Sequence, residues 1–176
     1  MTLVRPETID FAEHVIETLL FSDLDPNRYI VFGGAKLALE NLRAARDIDL
    51  VVPLSYFEEL LAAERPLAGL SLERVRSGFG QRRARTTGQV DPNQLPLDIN
   101  AYSGLGSNLR FDRLWQRANL QAFGDLTLRC VTLKDVRARK IFLSRHNKQN
   151  IGAHLRDINL IEGFLQRQEE QPVIGH

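Results

Sequence analysis

The segment YIVFGGAKLALENLRAARDIDLVVP, residues 29–53, limits the fold of this chain more than any other stretch. A short apolar run ends at Gly33 and Gly34, residues at helical spacing follow, and a second apolar run carries Asp47 and Asp49. Short apolar runs bounded by glycine and proline predict buried strands, and the spacing between them predicts a helix. A strand, a glycine turn, a helix and a second strand are typical of an α/β unit.

The rest of the chain continues this mixture of helices and strands. Helices are predicted over residues 7–21, 35–45, 55–64, 110–118, 132–145 and 154–168. Further strands are predicted over residues 70–77 and 95–102, and a hairpin over residues 120–132. Residues 78–94 are turn-rich. This order predicts an α/β (α+β) fold, a mixed β-sheet flanked by helices, with one domain over residues 1–130 and a C-terminal helical pair over 131–176 packed on it.

Three acidic residues stand in segments that are otherwise apolar. Alternate residues of a strand face the same way, about 6.6 Å apart, so Asp47 and Asp49 share one face while Ile48 points to the other. Asp98, in the predicted strand LPLDINAY, is a third isolated acid. A buried charge needs a partner, and three carboxylates on neighbouring strands would hold two divalent cations about 3.5 to 4 Å apart. The alternative is that Asp47 caps the strand and Asp49 pairs with an arginine, the commoner situation for an isolated D-x-D tripeptide.

The glycine pair is a candidate phosphate site. Glycine has no Cβ, so a ligand can approach the backbone closely, and the N–H groups at the start of the following helix are unpaired. Lys36, in the first turn of that helix, would add a positive charge. A Gly-Gly pair alone is more often a tight turn, and it is the combination with the helix and the D-x-D strand that indicates a phosphate site.

These motifs together resemble a known signature. FGGAKLALENLRAARDIDLVV looks like the pattern of the polymerase-beta-type nucleotidyltransferase superfamily, in which Gly-Gly or Gly-Ser precedes D-x-D, and Asp98 matches the later single acid. The chain is most similar to the small bacterial members, including the AbiEii-like toxin enzymes. The segment LKDVRARKIFLSR and the later LRDINLIEGFL resemble their helical part, so the similarity covers roughly residues 29–165.

The resemblance implies an activity and a set of site residues. The activity is the metal-dependent transfer of a nucleoside monophosphate from a nucleoside triphosphate to a hydroxyl of RNA, protein or a small molecule, with Mg²⁺ or Mn²⁺ as cofactor and release of pyrophosphate. The implied catalytic residues and metal ligands are Asp47, Asp49 and Asp98, of which Asp98 would also help to deprotonate the attacking hydroxyl. The implied nucleotide-binding residues are Gly33, Gly34, Ala35, Lys36, Arg46 and Lys140, with Arg137 one helical turn from Lys140.

Two other functions remain open. Ala35 stands where the family usually has Ser or Thr, which favours a degenerate fold that binds nucleotide or a protein partner without catalysis. The second is a non-enzymatic module, antitoxin-like or RNA-binding, that uses a basic hairpin. The arginines of that hairpin are Arg74, Arg76, Arg82, Arg83 and Arg85. Retention of all three acids favours the enzyme, because a pure binding module has no need to bury them together.

Composition and charge narrow the classes of protein to which this chain can belong. The formal net charge of +1 argues neither for nor against nucleic acid, and the single Cys130 excludes a disulfide framework or a multi-cysteine zinc site. No apolar run reaches the roughly 18 residues of a membrane span, and the first residues lack a signal-peptide run, so a cytoplasmic protein with no membrane contact is expected. The histidines show no ligand spacing and are predicted to be ordinary surface or helix residues. They are His14, His146, His154 and His176.

Overall fold

The computed structural model describes residues 10–63, 67, 71–77, 80–87, 94–104 and 108–170. Within these ranges six α-helices flank a seven-stranded mixed sheet. The helices are α1 (Ala12–Phe21), α2 (Gly33–Leu39), α3 (Leu54–Ala62), α4 (Phe111–Arg117), α5 (Leu133–His146) and α6 (Ile151–Glu170). The strands are β1 (Ile30–Phe32), β2 (Ile48–Val51), β3 (Ser71–Val75), β4 (Gln81–Thr87), β5 (Leu97–Tyr102), β6 (Asn119–Phe123) and β7 (Leu126–Cys130). The predicted fold class, including the C-terminal helical pair α5 and α6, is confirmed.

The strands lie in the order β3-β4-β5-β2-β1-β7-β6. Strand β2 pairs in parallel with β5, and β1 pairs in parallel with β7. The other neighbouring strands are antiparallel. The two acid-bearing segments, distant in sequence, therefore become neighbours at the centre of the sheet.

Helices cover both faces of the sheet. Helices α1, α2 and α3 pack on one face against residues that include Ile48 and Leu50. Helices α4, α5 and α6 pack on the other face around Ile30 and Val51. Because side chains alternate along a strand, Asp49 points to this second face, the same one as Val51. The acids thus lie on the side of the sheet that the C-terminal helices cover.

Strand β4 corrects the sequence prediction. The turns predicted over residues 78–94 are wrong for Gln81–Thr87, which pair with β3 and β5. The segment has few apolar residues, but Ala84 is fully buried in the core while Arg85 lies opposite Asp98 in register. Opposite charges on adjacent strands stabilise a sheet. The pairing of β3 with β4 agrees with the basic hairpin that the arginines indicate, but the acid that faces Arg85 lies on another segment, which no local pattern shows.

Helix α2 is shorter than predicted, because the chain leaves the helix after Leu39. Asn41 has a φ of 55°, in the left-handed region that ends helices. The turn that follows lets Arg43 reach Asp157 of α6. Other boundaries shift less: α6 begins at Ile151, and the hairpin turns at Gly124 as predicted, with a φ of 60°. The first residues of the helix predicted over 7–21 lie outside the described residues.

Candidate active site

The three acids come together on one face of the sheet. Asp49 of β2 and Asp98 of β5 are directly opposite each other in register, and neighbouring strands are about 4.8 Å apart. Asp47 precedes β2 by one residue and its alternation places it on the same face as Asp49. The prediction that the acids lie on adjacent strands is confirmed.

Gly33 packs directly against the Asp49 carboxylate. It has a φ of 60°, and a Cβ added there would lie 2.2 Å from the Asp49 Oδ2 atom. An L-residue would therefore be strained by its backbone and would collide with the acid. At Gly34 the nearest atoms to an added Cβ belong to the end of the Arg43 side chain, at 3.1 Å. The glycine pair lies at the strand-to-helix turn as predicted, and Gly33 is the member that requires glycine.

Two arginines of β4 bind two of the three acids. Arg83 donates to both oxygens of Asp98, at 2.6 Å from Nη2 and 3.2 Å from Nε. Arg85 donates to Asp47 at 2.9 Å, and its Nε lies 3.6 Å from Asp98. Asp98 is completely buried, so Arg83 neutralises a charge that burial would otherwise make very costly. The hydrogen bond from Arg83 to Asp98 in turn raises the pKa of Arg83.

Asp49 differs from the other two acids. Its carboxylate has no hydrogen bond and no ion pair with any described residue. Burial, together with the negative charges of Asp47 and Asp98, raises the pKa of Asp49 to about 7, and Lys140 and Arg83 partly offset this rise. A carboxylate in this environment is destabilised in its charged form and gains from any cation that reaches it.

The fit of a divalent cation to these acids is mixed. Among the described residues, no three His, Cys, Asp or Glu side chains are arranged to hold a metal ion. Asp47 and Asp98 instead accept hydrogen bonds from Arg85 and Arg83. Carboxylate oxygens are nevertheless the ligands that Mg²⁺ and Mn²⁺ prefer, and the unpaired Asp49 beside two further carboxylates fits such a cation. Binding through all three acids requires Arg83 and Arg85 to be displaced.

Two cavities share Asp49 and Lys140 in their walls. Cavity A, of about 240 Å³, extends from Gly33 towards Tyr102 and Arg139. Cavity B, of about 610 Å³, extends from Gly34 to α6. The larger volume lies within the range of sites for small molecules and cofactors. The remaining polar residues around cavity B are Arg43, Arg46, Asp47, Asn150, His154, Arg156 and Asp157.

Lys140 reaches the site, as the sequence predicts, but it is not a free charge. Its Nζ lies 2.7 Å from Asp157 Oδ2, and Arg43 donates to the same carboxylate at 2.6 Å. Asp157 is buried. Burial would raise the pKa of Asp157, and the hydrogen bonds from Arg43 and Lys140 outweigh that effect and lower it. This ion-pair group joins the turn after α2 to both C-terminal helices.

Other predicted nucleotide-binding residues lie elsewhere. Lys36 is buried and bonds Glu40 and Gln121, and Ala35 is part of the core. Arg137 pairs with an exposed glutamate of α6. None of the three lines cavity A or cavity B. Helix α2 has only seven residues, so its N-terminus adds little to a phosphate site.

The predicted basic hairpin presents less free charge than its sequence indicates. Arg74 and Arg82 both pair with Glu58, while Arg83 and Arg85 bind the acids. Arg76 is exposed. Contact of this surface with RNA stays a prediction.

His154 lies in α6, which agrees with the prediction of a surface or helix histidine. The prediction did not include its place in the wall of cavity B, where it is only 8% exposed. The available signal was helical spacing. His154, Asp157, Ile158 and Ile161 recur at i, i+3, i+4 and i+7, and all four are buried. The same spacing identifies Asp157 as a buried acid.

A comparison with protein-family models finds no match to this chain. A search of curated proteins also finds no similar sequence. Among the described residues, no helix is long and apolar enough to cross a membrane.

Proposed function

We propose that this protein is a metal-dependent nucleotidyltransferase of the polymerase-beta type. It would transfer a nucleoside monophosphate from a nucleoside triphosphate to a hydroxyl acceptor in the cytoplasm. One observation carries the proposal: the unpaired Asp49 lies in register with Asp98 and against Gly33. A structural role gives no reason to leave a half-buried carboxylate without a partner beside two others.

The chain's own residues would divide the work as follows. Asp47, Asp49 and Asp98 would hold Mg²⁺ or Mn²⁺. A divalent cation bound there would neutralise negative charge on the triphosphate. Gly33 would let the turn between β1 and α2 lie directly against the Asp49 carboxylate, because a Cβ there would collide with the acid. Lys140 of α5 would add a positive charge, which its ion pair with Asp157 partly neutralises.

The proposed reaction is an in-line displacement at the α-phosphorus. The acceptor oxygen forms a bond to the α-phosphorus, the bond to the oxygen bridging the α- and β-phosphates breaks, and pyrophosphate leaves with that electron pair. Asp98 would accept the proton of the acceptor hydroxyl. For this Asp98 must exchange its bonds to Arg83, so we expect the arginines of β4 to move when substrate binds.

A second candidate is favoured by the same arginines. If Arg83 and Arg85 stay on Asp98 and Asp47, their guanidinium groups neutralise the acids in place of cations. The fold would then bind nucleotide, or a protein partner, without catalysis. This candidate predicts that nucleotide binding does not depend on a divalent ion.

Thermal melting and a transfer assay distinguish the two. The protein is melted with each nucleoside triphosphate, in Mg²⁺ or in EDTA, and is incubated with labelled nucleotide and total cellular RNA or protein. The enzyme predicts a magnesium-dependent rise in melting temperature and labelled product, both lost in Asp49→Asn. A matched control is Asp112→Asn, an exposed acid of α4. Stabilisation by nucleotide in EDTA without product supports the second candidate. No stabilisation by any nucleotide contradicts the enzyme and leaves only the form of the second candidate that binds a protein partner.

A further inference from the structure

Cavity B combines two kinds of recognition group. Arg46 lies in the turn before β2 and Arg156 on α6, and both line the cavity. Both are exposed, and neither has an ion-pair partner within the described ranges. Unpaired arginines on two walls of one cavity suit an anion with several oxygens, such as a phosphate chain.

His154 adds a neutral group to this charged cavity. Its side chain is more than nine-tenths buried, and neither ring nitrogen has a hydrogen-bond partner among the described residues. Burial lowers the pKa of His154, and the positive charge of Lys140 lowers it further. The imidazole therefore stays neutral near pH 7, with one nitrogen donating and the other accepting.

A buried polar group without a partner costs about 1 to 3 kcal/mol. The cost is relieved if the ring turns towards the cavity that it lines, and rotation about χ2 of histidine is broad. A phosphate can use only the donor nitrogen, because it offers acceptor oxygens alone. A ligand that satisfies both nitrogens needs a donor and an acceptor, as a ribose hydroxyl or the edge of a base does.

We propose that cavity B is the nucleotide pocket, with Arg46 and Arg156 against the phosphate chain and His154 hydrogen-bonded to the nucleoside. This inference rests on the proposed function and specifies which side of Asp49 the nucleotide occupies. Asp49 and Lys140 lie at the boundary between the two cavities, which leaves cavity A for the acceptor. His154 is then a binding residue that separates nucleotides from simple phosphate chains.

Isothermal titration tests this assignment with two probes. The first is magnesium with the α,β-methylene analogue of ATP, which is not turned over, and the second is magnesium with inorganic tripolyphosphate. His154→Leu should lower the affinity for the analogue about 5- to 20-fold, which corresponds to the loss of one or two hydrogen bonds. The affinity for tripolyphosphate should stay within about twofold of its original value. His154→Gln keeps a donor and an acceptor and should retain much of the affinity. His146→Leu, on the exposed part of α5, is the matched control and should change nothing.

Arg156→Gln should lower the affinity for both probes, because Arg156 is assigned to the phosphate chain that both probes contain. Arg167→Gln, an exposed arginine further along α6, is its control. The analogues of GTP, CTP and UTP separate the two nucleoside groups. A contact to the base gives His154→Leu losses that differ among the four nucleotides, whereas a contact to the ribose gives equal losses, and either result supports the pocket.

Three outcomes overturn the inference. Unchanged binding of the analogue by His154→Leu, in a protein that melts normally, removes His154 from the pocket and leaves the proposed function standing. Equal losses for the analogue and tripolyphosphate show that the effect is not on the nucleoside. If the unaltered protein binds neither probe, the proposed function fails and the inference fails with it. Should His154→Leu fold poorly, His154→Ala, which also removes both ring nitrogens, decides by the same comparison.

Discussion

Replacing Asp49 with asparagine should stabilise the metal-free protein. Burial and the neighbouring acids raise the pKa of Asp49 from 3.8 to about 7. A shift of about three units corresponds to about 4 kcal/mol of destabilisation of the charged form. Because Asp49 is partly exposed, solvent screens part of this, and about 2 kcal/mol is a realistic gain at pH 8. For a chain of this size that gain raises the melting temperature by about 4 to 8 °C.

The gain should depend on pH in a defined direction. Between about pH 4 and pH 7 the folded protein keeps a proton on Asp49 that the unfolded chain has released. The free energy of unfolding therefore falls as the pH rises through this window, and stays at its lower level above pH 7. Asp49→Asn lacks this titration, so the difference between the two proteins should be largest at pH 8 and smallest near pH 4.

Urea unfolding in EDTA at pH 5, 6, 7 and 8 measures the effect. Asp112→Asn is the matched control, because it removes an exposed acid of α4 that pairs with Arg110 and should leave stability equal or slightly lower at every pH. Destabilisation by Asp49→Asn, or a difference that does not change with pH, would refute the reasoning. Asp49 would then be held by a positively charged partner, DIDL would be structural, and the enzyme proposal would lose its main support.

Three further predictions concern the surroundings of the acids. Gly33→Ala should lower the free energy of unfolding by about 1 to 3 kcal/mol, because the φ of 60° and the 2.2 Å approach to Asp49 both oppose a Cβ. Gly34→Ala, measured by the same urea titration, should lower it by under about 1 kcal/mol. Equal costs would contradict the assignment of Gly33 as the position that requires glycine. Asp157→Asn should cost about 3 kcal/mol, since it leaves Arg43 and Lys140 without their shared acid, and Glu162→Gln on the exposed side of α6 should cost under about 1 kcal/mol by the same measurement. Burial raises the pKa of the Cys130 thiol to about 12, so the native protein should react with a thiol reagent only after denaturant is added, and rapid labelling without denaturant would place Cys130 outside the core.

The sequence by itself determined the local parts of the candidate site. The period of two in DIDLV places Asp47 and Asp49 on one face and buries Ile48 and Leu50 on the other. The glycine pair between an apolar run and a helical pattern locates the strand-to-helix turn. These features depend on neighbours a few residues apart, which the chain order fixes.

The tertiary structure alone decided what each acid contacts. The register of β2 with β5 sets Asp49 opposite Asp98, and strand β4, which has no local apolar pattern, brings Arg83 and Arg85 onto the acids. Such contacts depend on which strands become neighbours, and that choice is made by packing across the whole sheet rather than by any local period. The helical spacing of α6 indicates that His154 is buried, but only the packing of α6 on α5 decides that it lines cavity B.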